Sequence, residues 1–341
     1  MQTLILLAGL ALLALALVDA LTTTMSTAER AGPLTRVVTA AVWRVALRLH
    51  RRTPGHGLLS AVGPVLVVLS LASWMALLWA GWTLVFGSRT GAVVTSPGSD
   101  PVGWVDRFYF AGMALISLGT GDMVGSSPWW RVVSVAATGT GLFVLTLALS
   151  YFVSVLGAVT QQRAFAAQLI ALGRTPQEMV LRAWDGEQVS STLTSTLTDL
   201  GQQLSTLAEQ HLTYHVLHHF HARDPRRAAL VGVARLDEAL TLLEHGVAEE
   251  QRPDPFAVRL LRAHVDRVAE VVGSVHVTGG TAEAPPAPDR TTLRLAGIPT
   301  TSEEDFQDAV RRAGPRRTRL RALVLGAGWT WDEVGTPAGT D

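Results

Sequence analysis

Three apolar runs, residues 4–21, 58–86 and 132–159, each match or exceed the length needed to cross a bilayer. Inside hydrocarbon every backbone N–H and C=O must be satisfied within its own segment, so such runs fold as helices. Apolar residues make up 48% of the chain, and they crowd before residue 160 and thin out after it. The expected fold class is therefore an all-α membrane protein, with three transmembrane helices followed by an α-helical cytosolic domain. No basic residue precedes the first run, so it lacks the charged leader of a secretory signal and reads as an uncleaved span. Asp19, near its end, is costly in lipid and reads as an interfacial anchor.

Charge sets the orientation. Between residues 28 and 56 lie Arg30, Arg36, Arg44, Arg48, Arg51 and Arg52, against the single acid Glu29, which places this loop in the cytoplasm. Val37, Val38, Val42, Val45 and Leu49 recur at helical spacing around Trp43, the pattern of an amphipathic helix on the membrane surface or of a plain connecting helix. The second run is interrupted only by Gly63-Pro64 and carries Trp74, Trp79 and Trp82 toward its far end, suited to the outer interface. At 1.5 Å per residue it exceeds the hydrocarbon thickness, so it tilts or projects. Residues 88–103 then form an extracytoplasmic loop of Gly, Ser and Pro.

Residues 104–116 are too short to span, yet they are apolar on one side and lead directly into Ser117-Leu118-Gly119-Thr120-Gly121-Asp122. That is the pattern of a re-entrant half-helix and loop. Small residues around a Gly-x-Gly pair let successive carbonyls point along one axis, where they replace water around a dehydrated cation. Non-helical backbone at this depth must face protein or a water-filled cavity.

With those residues in view, positions 57–160 resemble the pore module of the potassium channel superfamily, in particular bacterial channels with one pore loop per subunit. Ser117 takes the place of the filter threonine, Leu118 that of the usual valine, and Gly119 and Gly121 match the filter glycines. Asp122 follows as in the family. Phe108, Tyr109 and Phe110 correspond to the aromatic cuff of the pore helix, Trp129-Trp130-Arg131 open the inner helix, and Gly141 falls near the hinge glycine. Two positions depart from the pattern: Thr120 stands where the family has Tyr or Phe, and Met113 replaces an acid behind the filter. The resemblance implies a passive, potassium-conducting channel, a tetramer in which each chain supplies one wall of the filter. No cofactor is implied beyond the permeant monovalent cation. Loss of the aromatic brace at Thr120 leaves a non-selective cation channel as the alternative, and a membrane-anchored sensor or scaffold with a vestigial pore module is the reading from another class. Ala136, Ala137, Thr138, Gly139 and Gly141 suit close helix packing between copies, or are ordinary span composition.

The organisation expected is an N-terminal span (1–27), a basic amphipathic segment (28–56), the pore module (57–160), a cytosolic helical domain (161–278), a linker (279–290) and a C-terminal helical segment (291–341). In the tail, Thr175-Pro176 has the form of a helix start. Leu193, Leu197, Leu200, Leu204 and Leu207 make a coiled-coil or bundle seam. Helices are expected over 228–246 and 255–273. Arg311, Arg312, Arg316, Arg317, Arg319 and Arg321 form either a solvated face or a contact for anionic lipid headgroups. His211, His215 and His219 stand at i, i+4 and i+8, so on one helix they would offer metal ligands, groups titrating near neutral pH, or simply packing.

Several functions are excluded or unsupported. The chain has no cysteine, which rules out disulfides, cysteine-based zinc sites and thiol catalysis. Its formal net charge of zero argues against a general polyanion-binding role, and all 28 basic residues are Arg. Leu325-Gly326-Ala327-Gly328 lacks the context of a dinucleotide fingerprint. No P-loop, paired carboxylates or catalytic triad order is present, so an enzyme assignment has no residue to rest on. The partners expected are membrane lipid and copies of the chain, with no nucleic acid and no nucleotide, at the plasma membrane with the tail in the cytoplasm.

Overall fold

Hydropathy and helix coincide at three places in the computed structural model, which describes residues 1–25, 32–50, 56–96, 98–119, 121–276 and 283–335. Helices long and apolar enough to cross a membrane cover Gln2–Met25, Leu59–Gly87 and Pro128–Leu172. The chain divides into two units. Residues 1–48, 64–156 and 214–216 form one; residues 49–63, 157–213 and 217–341 form the other.

In the first unit, α1 (Gln2–Met25) packs on α3 (His56–Gly87) through two glycines. A Cβ on Gly9 would stand 2.9 Å from the Gly81 carbonyl oxygen, and one on Gly81 would stand 2.8 Å from Leu13 Cδ2. Small residues here let the two backbones approach, the packing that replaces hydrophobic drive in lipid. Helix α2 (Pro33–His50) leaves Val37 and Val45 exposed beside Arg36, Arg44 and Arg48. Arg30, Arg51, Arg52 and Glu29 of the basic segment lie outside the described residues.

The region expected to be a plain loop contains a strand. Val93–Thr95 (β1) pairs antiparallel with Met123–Gly125 (β2), with Val94 opposite Val124. Three β-branched residues favour extended backbone but give too short a run to show alternation, and their partner is set by tertiary closure. Between the strands lie α4 (Trp104–Leu115) and the loop that follows it. The third apolar helix, α5 (Pro128–Leu172), is 45 residues long, about 68 Å at the helical rise, so it runs well past the end of its apolar stretch.

The second unit is a helical bundle. Thr175 caps α6 (Pro176–Ala183), its Oγ1 accepting from the Glu178 N–H at 3.0 Å, with Pro176 in the first turn as expected. The leucine seam is filled within the chain: Leu197, Leu200, Leu204 and Leu207 of α7 (Leu193–Thr213) are buried in the bundle core, and α7 packs chiefly on α9 (Pro255–His276). Helix α8 (Ala229–Thr241) carries more than a stripe, since nearly every side chain on it is buried, against α6, α9, α12 (Gly314–Gly326) and α13 (Asp332–Gly335).

Such a central helix tolerates charge only where each charge is paired. Asp237, with no exposed surface, accepts from Arg262 Nη1 at 2.8 Å and from Arg316 Nε at 3.2 Å. Glu238 takes a two-pronged contact from Arg317, at 2.7 and 2.9 Å, and burial still raises its pKa more than those contacts lower it. Arg317 also donates to the Pro285 and Pro286 carbonyls, and Arg321 to that of Glu283. The arginine run is therefore not one solvated or lipid-facing surface. Arg317 is 1% exposed and Arg316 half-buried, because they neutralise acids of α8, while Arg311 pairs with Asp308. Residues 279–282 of the expected linker lie outside the described residues. Residues 283–290 have no regular structure but are held by those arginines and by Gln177, which donates to the Asp289 carbonyl. Leu293 of α10 (Thr291–Leu295), Phe306 of α11 (Glu303–Arg312), Leu320 and Trp329 join the same core as α7–α9.

Candidate functional site

Helix α4 starts at Gly103, whose N–H donates to Asp106 Oδ2 at 3.0 Å. It ends by folding its last N–H groups back, Ser117 N–H to the Ala114 carbonyl and Leu118 N–H to that of Met113, both at 3.1 Å. The backbone then alternates: φ is +61° at Ser117 and +76° at Gly119, with Leu118 between them outside the left-handed region. A serine there is unusual and costs about 1 kcal/mol, so its surroundings hold it in place. Among the described residues the carbonyls of Ser117, Leu118 and Gly119 accept no hydrogen bond. The loop is open on this chain, with Leu118 67% exposed. Thr120, the residue on which the expectation of selectivity turned, lies outside the described residues. Gly121 and Asp122 are exposed, and the Asp122 carbonyl accepts from Ser96 N–H at 2.8 Å, tying the end of the loop to the end of β1.

Two apolar helices hold α4. From α3, Trp79 stacks on Phe108 with ring centres 4.4 Å apart and donates its indole N–H to the Phe108 carbonyl at 2.7 Å. A Cβ on Gly112 would meet the Trp79 ring at 2.7 Å, so that glycine admits the indole. Phe110 is buried edge-on against Phe86, whereas Tyr109 and Phe108 keep exposed faces. From α5, Thr138 Oγ1 donates to the Ala114 carbonyl at 2.9 Å. Gly141 sits against the end of α4, where a Cβ would stand 1.9 Å from the Leu115 carbonyl oxygen. Close packing therefore accounts for this glycine, and α5 is helical through it without interruption.

Asp19, expected as an interfacial anchor, finds its partners within the chain. It is fully buried and its carboxylate accepts from four donors: Leu34 N–H (2.6 Å), Thr35 N–H (3.2 Å to each oxygen), Thr35 Oγ1 (2.6 Å) and the Trp74 indole (2.8 Å). Thr23 Oγ1 accepts from Gly32 N–H at 3.0 Å. An acid from α1 thus fills the N-cap role for α2, whose own first residue is Pro33, and joins both to α3. Gly32 is required there, since a Cβ would lie 2.4 Å from the Asp19 carboxylate. A proline opening a helix with no capping side chain just before it is the signal that a cap comes from elsewhere.

The three histidines do not share a helix face. Helix α7 ends at Thr213, so His211 lies on its last turn while His215 and His219 begin and end a separate 3-10 turn. His211 Nδ1 lies 2.9 Å from the Leu207 carbonyl, which fixes the proton on that nitrogen. Both His211 and His219 are buried. Among the described residues no group of three or more His, Cys, Asp or Glu is placed to hold a metal ion.

No protein-family profile matches the chain, and no solved structure matches it. It is 32% identical over 325 residues to a Bacillus subtilis (strain 168) protein named uncharacterized membrane protein YdjJ, an alignment covering 95% of this chain and 94% of that one.

Proposed function

The chain belongs to the membrane-protein family that includes YdjJ of Bacillus subtilis, and we propose that this member is a passive cation channel that conducts potassium through a pore built from four copies of the loop at residues 117–122. The observation that carries the reading is the alternating backbone at Ser117, Leu118 and Gly119 with its unpaired carbonyls. Alternate residues of opposite handedness turn successive carbonyls toward one side, a row of oxygens suited to a dehydrated monovalent cation. The carboxyl end of α4 points into the same loop, and its partial negative charge favours a cation.

In this reading Ser117, Leu118, Gly119 and Thr120 supply the coordinating carbonyls, Asp122 adds negative charge at the outer mouth, and Gly141 keeps α5 close against the base of the loop. The exposed backbone of a single chain is satisfied only when copies enclose it, which favours a tetramer over a monomer. The basic segment and the tail then face the cytoplasm. Purified protein in liposomes, assayed for potassium and sodium flux with reversal potentials in mixed salts, tests the proposal. Potassium-selective flux supports it, and equal permeability moves it to the non-selective channel. Absence of any cation flux over a wide pH range removes it and leaves the scaffold.

A further inference from the structure

The bundle carries a cleft of about 480 Å³ that the pore reading does not use. Three elements that are distant in sequence form it. Glu244 and His245 come from the π-helical turn Leu242–Gly246 that ends α8, Arg259, Arg262 and Asp266 from α9, and Arg312 and Arg316 from α11 (Glu303–Arg312) and α12. Ala263, Ala309 and Ala313 line it with small side chains, leaving the space open. Single π turns inside helices recur at functional sites.

The four guanidiniums are not equivalent. Arg262 is buried and fixed, donating to Asp237 at 2.8 Å and to Glu244 at 3.0 Å, and Arg316 is held by Asp237 at 3.2 Å. Arg259 and Arg312 are exposed and form no ion pair or side-chain hydrogen bond among the described residues. Fixed cations behind and free ones at the rim make a preorganised anion receptor, because guanidinium forks match the oxygens of phosphate. Desolvation lowers the pKa of His245, Glu244 opposes that shift, and Arg262, Arg252 and Arg312 add to the lowering. The carboxylates of Asp266 and Glu244 in the same cleft would repel a continuous anionic lipid surface, but they suit hydroxyl or amino groups on a discrete ligand.

We propose that this cleft binds a soluble phosphate-bearing small molecule, its phosphate on Arg259, Arg312 and Arg316 and its hydroxyl or amino groups toward Asp266 and Glu244. No sequence motif announces such a site, since its arginines meet only on folding. The test uses the full-length protein in detergent, titrated with AMP and with inorganic phosphate by calorimetry and thermal unfolding, and it is independent of conduction. The proposal expects saturable AMP binding that raises the unfolding midpoint. Binding should weaken about tenfold or more in R259Q/R312Q, whose changed side chains are exposed and unpaired, and stay unchanged in R319Q, which removes one exposed guanidinium outside the cleft. No response to AMP or phosphate, equal weakening by R319Q, or binding to phosphatidylglycerol vesicles without binding to AMP would each overturn it.

Discussion

Replacing Gly141 by Ala tests how α5 supports the loop. The new Cβ would lie 1.9 Å from the Leu115 carbonyl oxygen and 2.8 Å from its carbonyl carbon. Ordinary contact begins near 3.4 Å, so the helices must part by about 1.5 Å, and both obstacles are backbone, with no rotamer to give way. Overpacking of this kind costs about 1–3 kcal/mol. Separation also stretches the 2.9 Å hydrogen bond from Thr138 to the Ala114 carbonyl, worth about 1 kcal/mol. The better helix propensity of Ala returns about 1 kcal/mol, leaving a net loss of about 1–3 kcal/mol. Gly157, on the same helix, meets nothing within 4 Å, so Gly157→Ala collects the propensity gain alone. The two variants should differ by about 2–4 kcal/mol. Unfolding in mixed micelles by added dodecyl sulfate, followed by helical circular dichroism, measures the difference. A Gly141→Ala protein as stable as Gly157→Ala would refute close packing as the reason for the glycine.

Asp19→Leu should cost about 3 kcal/mol or more, because it leaves the Leu34 and Thr35 N–H groups and the Trp74 indole without their acceptor; Trp fluorescence during unfolding reports it. Arg317→Met strands Glu238 in the core and should destabilise the protein by about 3–5 kcal/mol, whereas the double change with Glu238→Leu should recover most of that in the same unfolding assay. Glu303 has its pKa lowered from 4.5 to about 2 by hydrogen bonds from Gln307 and from Arg290, with Arg294 adding to it. A depressed carboxylate contributes fully above its unfolded pKa and loses that contribution as pH falls through the folded one. Glu303→Gln should therefore lower stability at pH 7, where the carboxylate's contribution is fully present, and flatten the dependence of stability on pH between 4.5 and 2.

Long-range periodicity carried most of the fold. The three apolar helices follow from length and composition, and Thr175-Pro176 and the leucine seam followed from local chemistry, because each signal is contained within a few turns. What escaped the sequence depends on partners far along the chain. Asp237 and Glu238 look like an exposed polar pair until Arg262, Arg316 and Arg317 arrive from other helices. The strand at Val93 has a partner beyond an intervening helix. The histidines keep helical spacing in sequence, but the helix stops at Thr213, which spacing alone does not reveal. For the loop, the glycines and their setting were legible, whereas the left-handed Ser117 was not, since a serine gives no local sign that it will adopt φ above zero.

The buried carboxylate of α1 also constrains how the molecule is made. Asp19 leaves the ribosome ahead of its donors, by 15 residues for Leu34 and by 55 for Trp74. At roughly 5–20 residues per second, the second interval amounts to about 3–11 s. For that time the first helix must hold an acid without its indole partner at the rim of the bilayer, where it is tolerable beside water and costly any deeper. The carboxylate of α1 is thus completed only by a residue of α3 made 55 positions later.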